Sequence, residues 1–269
     1  MSLIRDFLGK TETIAAATAD TLIFDKGLPS GPFKRFNFTA VGANNSIAGT
    51  GIVKYIVKKN STVIWDLLPT QLRALLEALI SPIGGSVPAT SALRYTYPCD
   101  LLVPGGDIGF PRDIYTLETE VDTDASAGSL KVGWEFADVN PKLFPRMVRE
   151  QIGAPASSSA GYDYYTRTGK GIAVLGWILD LVNSTTGIRS IQIFRATHDR
   201  GPVEDLGKWA YEEILESQAH YNPEAITTPF FFKPFAKPLD YPEGSYLKIV
   251  NGAGSAETDQ IVPIELHPA

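Results

Sequence analysis

The sequence predicts an all-β protein made of two tandem sandwich units, each with one flanking α-helix, and three observations carry that prediction. Short runs rich in β-branched and aromatic residues recur along all 269 residues, as strands do. The 24 Gly and 19 Pro fall mostly between those runs, where turns need them. A module of strand, turn, strand, proline-opened amphipathic helix and aromatic strand then occurs twice. The first copy covers residues 51–60, 62–65, 69–80 and 93–103; the second covers 188–195, 202–216 and 227–238. The helix openings at Pro69 and Pro202 lie about half a chain length apart, so each half holds one copy.

Leu3, Ile4, Phe7 and Leu8 recur with the spacing of a short amphipathic N-terminal helix. Strands follow at 18–24, 33–41, 52–58 and 62–65, the last two joined by Lys59-Asn60-Ser61 as an antiparallel pair. Leu72, Leu75, Leu76, Leu79 and Ile80 then form one helical stripe, opened by Pro69 and ended by Ser81-Pro82. The β pattern resumes at 93–103, 114–121 and 130–136. About eight strands and one helix thus precede residue 138.

Phe144, Met147, Val148 and Ile152 predict a short linker helix, followed by a loop at 154–161. The organisation expected is an N-terminal unit at 1–138, a linker at 139–161 and a C-terminal unit at 162–269. In the second unit strands are expected at 171–182 and 188–196. A helix over 202–216 is expected to have Asp199 as N-cap, Glu204 and Asp205 in its first turn, and Val203, Leu206, Ala210 and Ile214 on one face. Closing strands fall at 230–235, 246–250 and 260–266.

A net charge of −6 offers no basic footprint for phosphate, so direct nucleic-acid binding is not expected. Cys99 is the single cysteine, which excludes an intrachain disulfide and suits a reducing cytosol. The first ten residues mix charges into their apolar positions and lack a signal-peptide core. No apolar stretch approaches the ~18 residues that a membrane span needs. The sequons at Asn37, Asn44, Asn60 and Asn183 read as turn and strand chemistry.

Catalytic, cofactor and metal sites are all expected to be absent. His198, His220 and His267 are scattered, with no pair at ligand spacing, and Cys99 beside Pro98 reads as a packed thiol. Gly169-Lys170-Gly171 and Gly105-Gly106-Asp107-Ile108-Gly109 match neither a P-loop nor a dinucleotide fingerprint. Glu118 with Glu120, and Asp122 with Asp124, would share a strand face, where a glycosidase or a calcium site could use them; an exposed strand end explains them as well. Tyr162, Tyr164, Tyr165, Trp134 and Trp177 would serve a sugar-stacking platform or, more simply, a core or subunit interface.

The strand and helix modules at 52–80 and 188–216, with the linker at 141–152 and its Met147-Val148-Arg149-Glu150, resemble the double jelly-roll major capsid proteins of tailless icosahedral phages with an internal membrane. Corticovirus coat proteins are similar in size and layout, and tectivirus coats more elaborate. The resemblance implies two eight-stranded antiparallel jelly rolls and a non-enzymatic subunit. It implies homotrimeric, pseudo-hexameric capsomers that tile a shell beside minor capsid and penton proteins. Localisation in the virion after synthesis in the host cytoplasm follows, with an inner face toward the membrane, which the residue 3–8 stripe would meet. Calcium accompanies corticovirus-like coats, but the resemblance assigns no ligand residues here. The large relatives' tower insertions are absent. Two other readings remain open at this level: a carbohydrate- or receptor-binding sandwich of a phage spike, and a hydrolase on a jelly-roll scaffold.

Overall fold

Alternation of apolar and polar side chains builds most of the strands. In the segment Thr116 to Val121, for example, Leu117, Thr119 and Val121 are buried while Glu118 and Glu120 are not, the period of two that a half-buried strand requires. The structure, a computed structural model, describes residues 10–15, 17–24, 33–42, 52–80, 94–96, 115–121, 128–136, 143–152, 161–165, 172–180, 188–210, 213–214, 229–251 and 259–268. The expected helix at 3–8 and the strand residues 97–103 lie outside these. The chain divides into two compact units, Met1–Val148 with Pro268–Ala269, and Arg149–His267.

Unit 1 contains β1 (Lys10–Ile14), β2 (Asp20–Phe24), β3 (Phe33–Gly42), β4 (Ile52–Lys59), β5 (Thr62–Leu67), α1 (Pro69–Ile80), β6 (Arg94–Thr96), β7 (Tyr115–Val121), β8 (Gly128–Phe136) and β9 (Leu143–Val148). Its first eight strands form two antiparallel sheets, ordered β1-β8-β3-β6 and β2-β7-β4-β5. The β4–β5 hairpin turns on Asn60 and Ser61, whose φ values of 48° and 69° are the left-handed pair of a two-residue type I′ turn. At the start of α1, Leu68 N–H donates to Gln71 Oε1 at 3.1 Å; a side chain three residues on thus satisfies an N-terminal donor, as in a capping box. Leu72 and Leu75 are fully buried beneath the helix.

Unit 2 contains β10 (Glu150–Ile152), β11 (Gly161–Tyr165), β12 (Ala173–Asp180), β13 (Ile188–Ala196), β14 (Val203–Ala210), β15 (Phe230–Phe232), β16 (Leu239–Asp240), β17 (Tyr246–Asn251) and β18 (Asp259–Pro268). One sheet runs β10-β18-β12-β15, with β16 continuing beside β12; the other runs β11-β17-β13-β14. Setting aside the two-residue β16, both units have the same order: first-eighth-third-sixth in one sheet and second-seventh-fourth-fifth in the other. Eight antiparallel strands in two sheets with such long-range crossovers are a jelly roll.

The unit 2 core joins Val174, Trp177 and Leu179 of β12 to Ile191 and Ile193 of β13, Leu247 and Ile249 of β17, and Phe230 and Phe232 of β15. Trp177 stacks on Phe232 at 6.2 Å and meets Tyr241 edge-on at 5.9 Å. Burial raises the Tyr241 phenol above its ordinary value, with the Arg195 charge opposing it more weakly. An unfolded chain gives up this proton near pH 10 while the folded one keeps it. Its contribution to stability is therefore whole below about pH 10 and declines above, by up to about 1.4 kcal/mol per pH unit. Tyr241→Phe is expected to flatten that alkaline limb. At neutral pH it should cost little, because the hydroxyl has no hydrogen-bond partner among the described residues; denaturant titrations from neutral to alkaline pH check both points.

Two expected helices are strands. The 143–152 segment forms β9 and β10, with Pro145 and Met147 buried and Arg146 and Val148 half-buried. β9 runs parallel to β5, pairing Trp65↔Met147 and Asp66↔Val148, and Trp65 Nε1–H donates to the Pro145 carbonyl at 2.9 Å. The boundary between the compact units falls at Val148/Arg149, within this extended segment rather than in a helix. The 202–216 segment begins as β14, antiparallel to β13. Its pairing passes from Ile193↔Gly207 to Phe194↔Asp205, leaving Leu206 as a bulge, and Gly207 takes φ +137°, which no helix holds. That extra residue breaks the period-two pattern and leaves apolar residues at a helix-like spacing.

Candidate functional site

Glu118 and Glu120 point from one face of β7, and each meets a lysine of β4. Lys58 Nζ lies 2.6 and 2.7 Å from the two Glu118 oxygens, and Lys54 Nζ lies 2.9 Å from Glu120. Carboxylates so matched form a cross-strand ladder rather than an acid and base pair. Glu118→Gln and Glu120→Gln are each expected to lower unit 1 stability by under about 1 kcal/mol, less still at high salt; urea unfolding at two ionic strengths checks this. Asp122 and Asp124 lie outside the described residues.

Trp177 has no exposed surface and belongs to the core. Tyr162, Tyr164 and Tyr165 lie on β11 and Trp134 on β8; Trp177, buried in the core, presents no face for a sugar to stack on. His198 is exposed beside Thr197, with Nδ1 and Oγ1 3.1 Å apart. His267 Nε2 lies 2.9 Å from Glu265 Oε2, on a carboxylate that is buried. His220, Cys99, the Gly105–Gly109 run and Gly169–Gly171 lie outside the described residues. Among the described residues no three His, Cys, Asp or Glu side chains gather to hold a metal ion.

One corner of unit 2 is organised by side chains expected to serve a helix. Asp199 does cap a backbone N–H, but that of Glu243, at 3.1 Å across the β16–β17 turn. Arg200, at φ +56°, donates its backbone N–H to the Glu243 carbonyl at 2.8 Å and its guanidinium to Glu243 Oε1 at 3.0 and 3.1 Å. Ser245 accepts the Ala196 N–H at 3.0 Å and donates to the Pro242 carbonyl at 2.7 Å. Glu204 and Asp205 meet β13 residues: Arg195 at 3.1 Å and Gln192 at 2.7 Å. The result ties the β13–β14 connection to the turn before β17.

Helical residues within the expected 202–216 helix of unit 2 come after β14 rather than at its start. Glu213 and Ile214 are helical, and Ala210 N–H donates to Glu213 Oε2 at 2.7 Å, the contact that Leu68 makes with Gln71 before α1. Buried Ile214 follows the capping residue as buried Leu72 follows Gln71. In both units, therefore, a side chain three residues on caps a backbone N–H at the end of the fifth strand, just before helical residues. The signal missed in the sequence was this acidic or amide side chain three positions after the residue whose N–H it caps.

The fifth strands differ at their outer edges. β5 has β9 beside it, whereas among the described residues no strand lies outside β14. An unpartnered strand edge is a template for another chain. β14 also carries exposed Val203.

No family model and no curated protein sequence matches the chain. Solved structures do match. The crystal structure of the STIV major capsid protein aligns with a TM-score of 0.67 at 14% identity, covering 97% of this chain and 97% of that one. The major capsid protein of bacteriophage PM2 aligns with a TM-score of 0.65 at 10% identity, covering 97% and 98%. The fold is a double jelly roll. A chain in the atomic structure of Sulfolobus turreted icosahedral virus gives a TM-score of 0.68 at 14% identity, over 97% and 91%. Both jelly rolls therefore lie within the alignment, and at such identities the likeness is one of fold.

Proposed function

We propose that this chain is the structural subunit of a virus shell: three copies assemble into a pseudo-hexameric capsomer, and capsomers tile an icosahedral coat around an internal membrane. The observation that carries the reading is the repetition of one strand order in two units of one chain. Three such chains present six near-equivalent blocks about one axis, and six-sided tiles pave a facet. The alignment with viral coat proteins over nearly the whole of both chains supports the same reading, by analogy of fold. The lysine-matched carboxylates and the buried Trp177 favour structural roles over hydrolysis or sugar stacking. Partners under this reading are further copies of the chain, minor coat proteins and the membrane face, and its place is the virion.

Purified full-length protein is expected to scatter light as a trimer and to show six-lobed particles by electron microscopy. A monomer that never associates across a range of concentrations and ionic strengths would overturn the proposal.

A further inference from the structure

The two units differ in what lies beside their fifth strands, and the sequence offers a candidate to fill the difference. In unit 1, β9 pairs in parallel with β5, and after Arg149 the chain enters β10, the first strand of unit 2. The equivalent place in unit 2 is the outer edge of β14, beside which the described residues place no strand. The segment equivalent to β9 is the one that precedes β1, the first strand of unit 1. That segment reads Leu3-Ile4-Arg5-Asp6-Phe7-Leu8, then Gly9, then β1 at Lys10; β9 reads Leu143-Phe144-Pro145-Arg146-Met147-Val148, then Arg149, then β10 at Glu150. Both have apolar residues at positions one, two, five and six, and both stand one residue ahead of a first strand. In β9 this spacing, which resembles a helical stripe, is a strand.

We infer that residues 3–8 of a second copy of this chain add as a parallel strand to the outer edge of β14. The inference rests on the reading of the chain as a self-assembling subunit and names the contact through which copies join. The matching caps set the register: Ala210 with Glu213 stands where Leu68 stands with Gln71. Gly207 and Lys208 then match Trp65 and Asp66, whose β9 partners are Met147 and Val148. Phe7 of the incoming chain accordingly lies opposite Gly207, and Leu8 opposite Lys208. The occupant is a second copy because the link is directional: it joins the fifth strand of one unit to the segment ahead of the next. Repeating a head-to-tail link past unit 2 calls for another unit 1, and such links make a ring where their rotation closes. Main-chain hydrogen bonds along the edge supply the affinity and the apolar side chains the register, as in other strand additions.

The test is disulfide trapping in the full-length chain with Cys99→Ser. Paired strands lie about 4.8 Å apart, within disulfide reach. Leu8→Cys with Lys208→Cys is expected to give covalent dimers and trimers on mild oxidation. Leu8→Cys with Val203→Cys, roughly 17 Å along the strand, is expected to give none. Deleting residues 1–9 is expected to raise the dissociation constant of the oligomer at least tenfold. Cross-links confined to monomers would overturn the second copy as occupant. Failure to cross-link in a protein that still scatters as a trimer would overturn the inference and leave the shell reading standing. Absence of any oligomer in the undisturbed protein would remove both.

Discussion

Replacing Trp177 by alanine is expected to lower the stability of unit 2 by about 3–5 kcal/mol. The indole has no exposed surface and contacts Phe232 and Tyr241 at centroid distances of 6.2 and 5.9 Å. It sits on β12, third in the unit and paired with both β18 and β15, so neither neighbour can move inward without breaking a ladder. A cavity bounded by paired strands collapses poorly, which places the cost toward the upper end of the large-to-small range. Trp177→Phe is expected to recover much of the loss, because it restores most of the volume. It also removes an indole N–H that has no hydrogen-bond partner among the described residues. Calorimetry should show one transition lowered by roughly 10–20 °C for Trp177→Ala. A shift within a few degrees would mean that Trp177 does not hold the two sheets together.

The same strand shows what a sequence yields readily and what it hides. β12 carries a continuous buried run from Val174 to Leu179, legible because a strand covered on both faces needs no alternation. The β4–β5 hairpin was legible through its β-branched flanks and the Asn60-Ser61 turn, and α1 through Pro69 and its leucines. β14 and β9 were hidden for a shared reason: each depends on a partner distant in sequence. The Leu206 bulge in β14 is set by the pairing with β13, and the Pro145 carbonyl in β9 is met by Trp65, 80 residues away. Local spacing in both happened to suit a helix, and tertiary pairing overrode it. The acidic pair was legible as a shared strand face, since Glu118 and Glu120 differ by two positions. Its meaning was not, because Lys54 and Lys58 stand across the sheet. Asp199 was legible as a cap but not in its target, since the Glu243 N–H arrives from another turn. The repeat itself was legible one element out of phase, because the second proline, Pro202, precedes a strand rather than a helix.

A single methyl group added at Gly176 is expected to destabilise unit 2 by about 2–3 kcal/mol, near the top of the overpacking range. A Cβ there would lie 2.5 Å from the Phe232 carbonyl oxygen and 2.9 Å from Phe231 Cε2. The oxygen belongs to the backbone of β15, whose register against β12 runs Trp177↔Phe232, Ile178↔Phe231 and Leu179↔Phe230. It cannot rotate away as a side chain could, and relief requires β15 to separate from β12 or the bulge between Val174 and Gly176 to rearrange. Either movement disturbs Phe230 and Phe232, both in the core. Gly201 supplies the control, since a Cβ there would lie 2.6 Å from the His198 ring, an equally short approach. His198 is exposed, however, and its ring can swing into solvent, so Gly201→Ala is expected to change stability by under about 1 kcal/mol. Denaturant midpoints for the two variants, measured side by side, separate the cases. Equal losses would mean that the short approach alone sets the cost, and that β15 is not held against β12 as firmly as the pairing of its three phenylalanines requires.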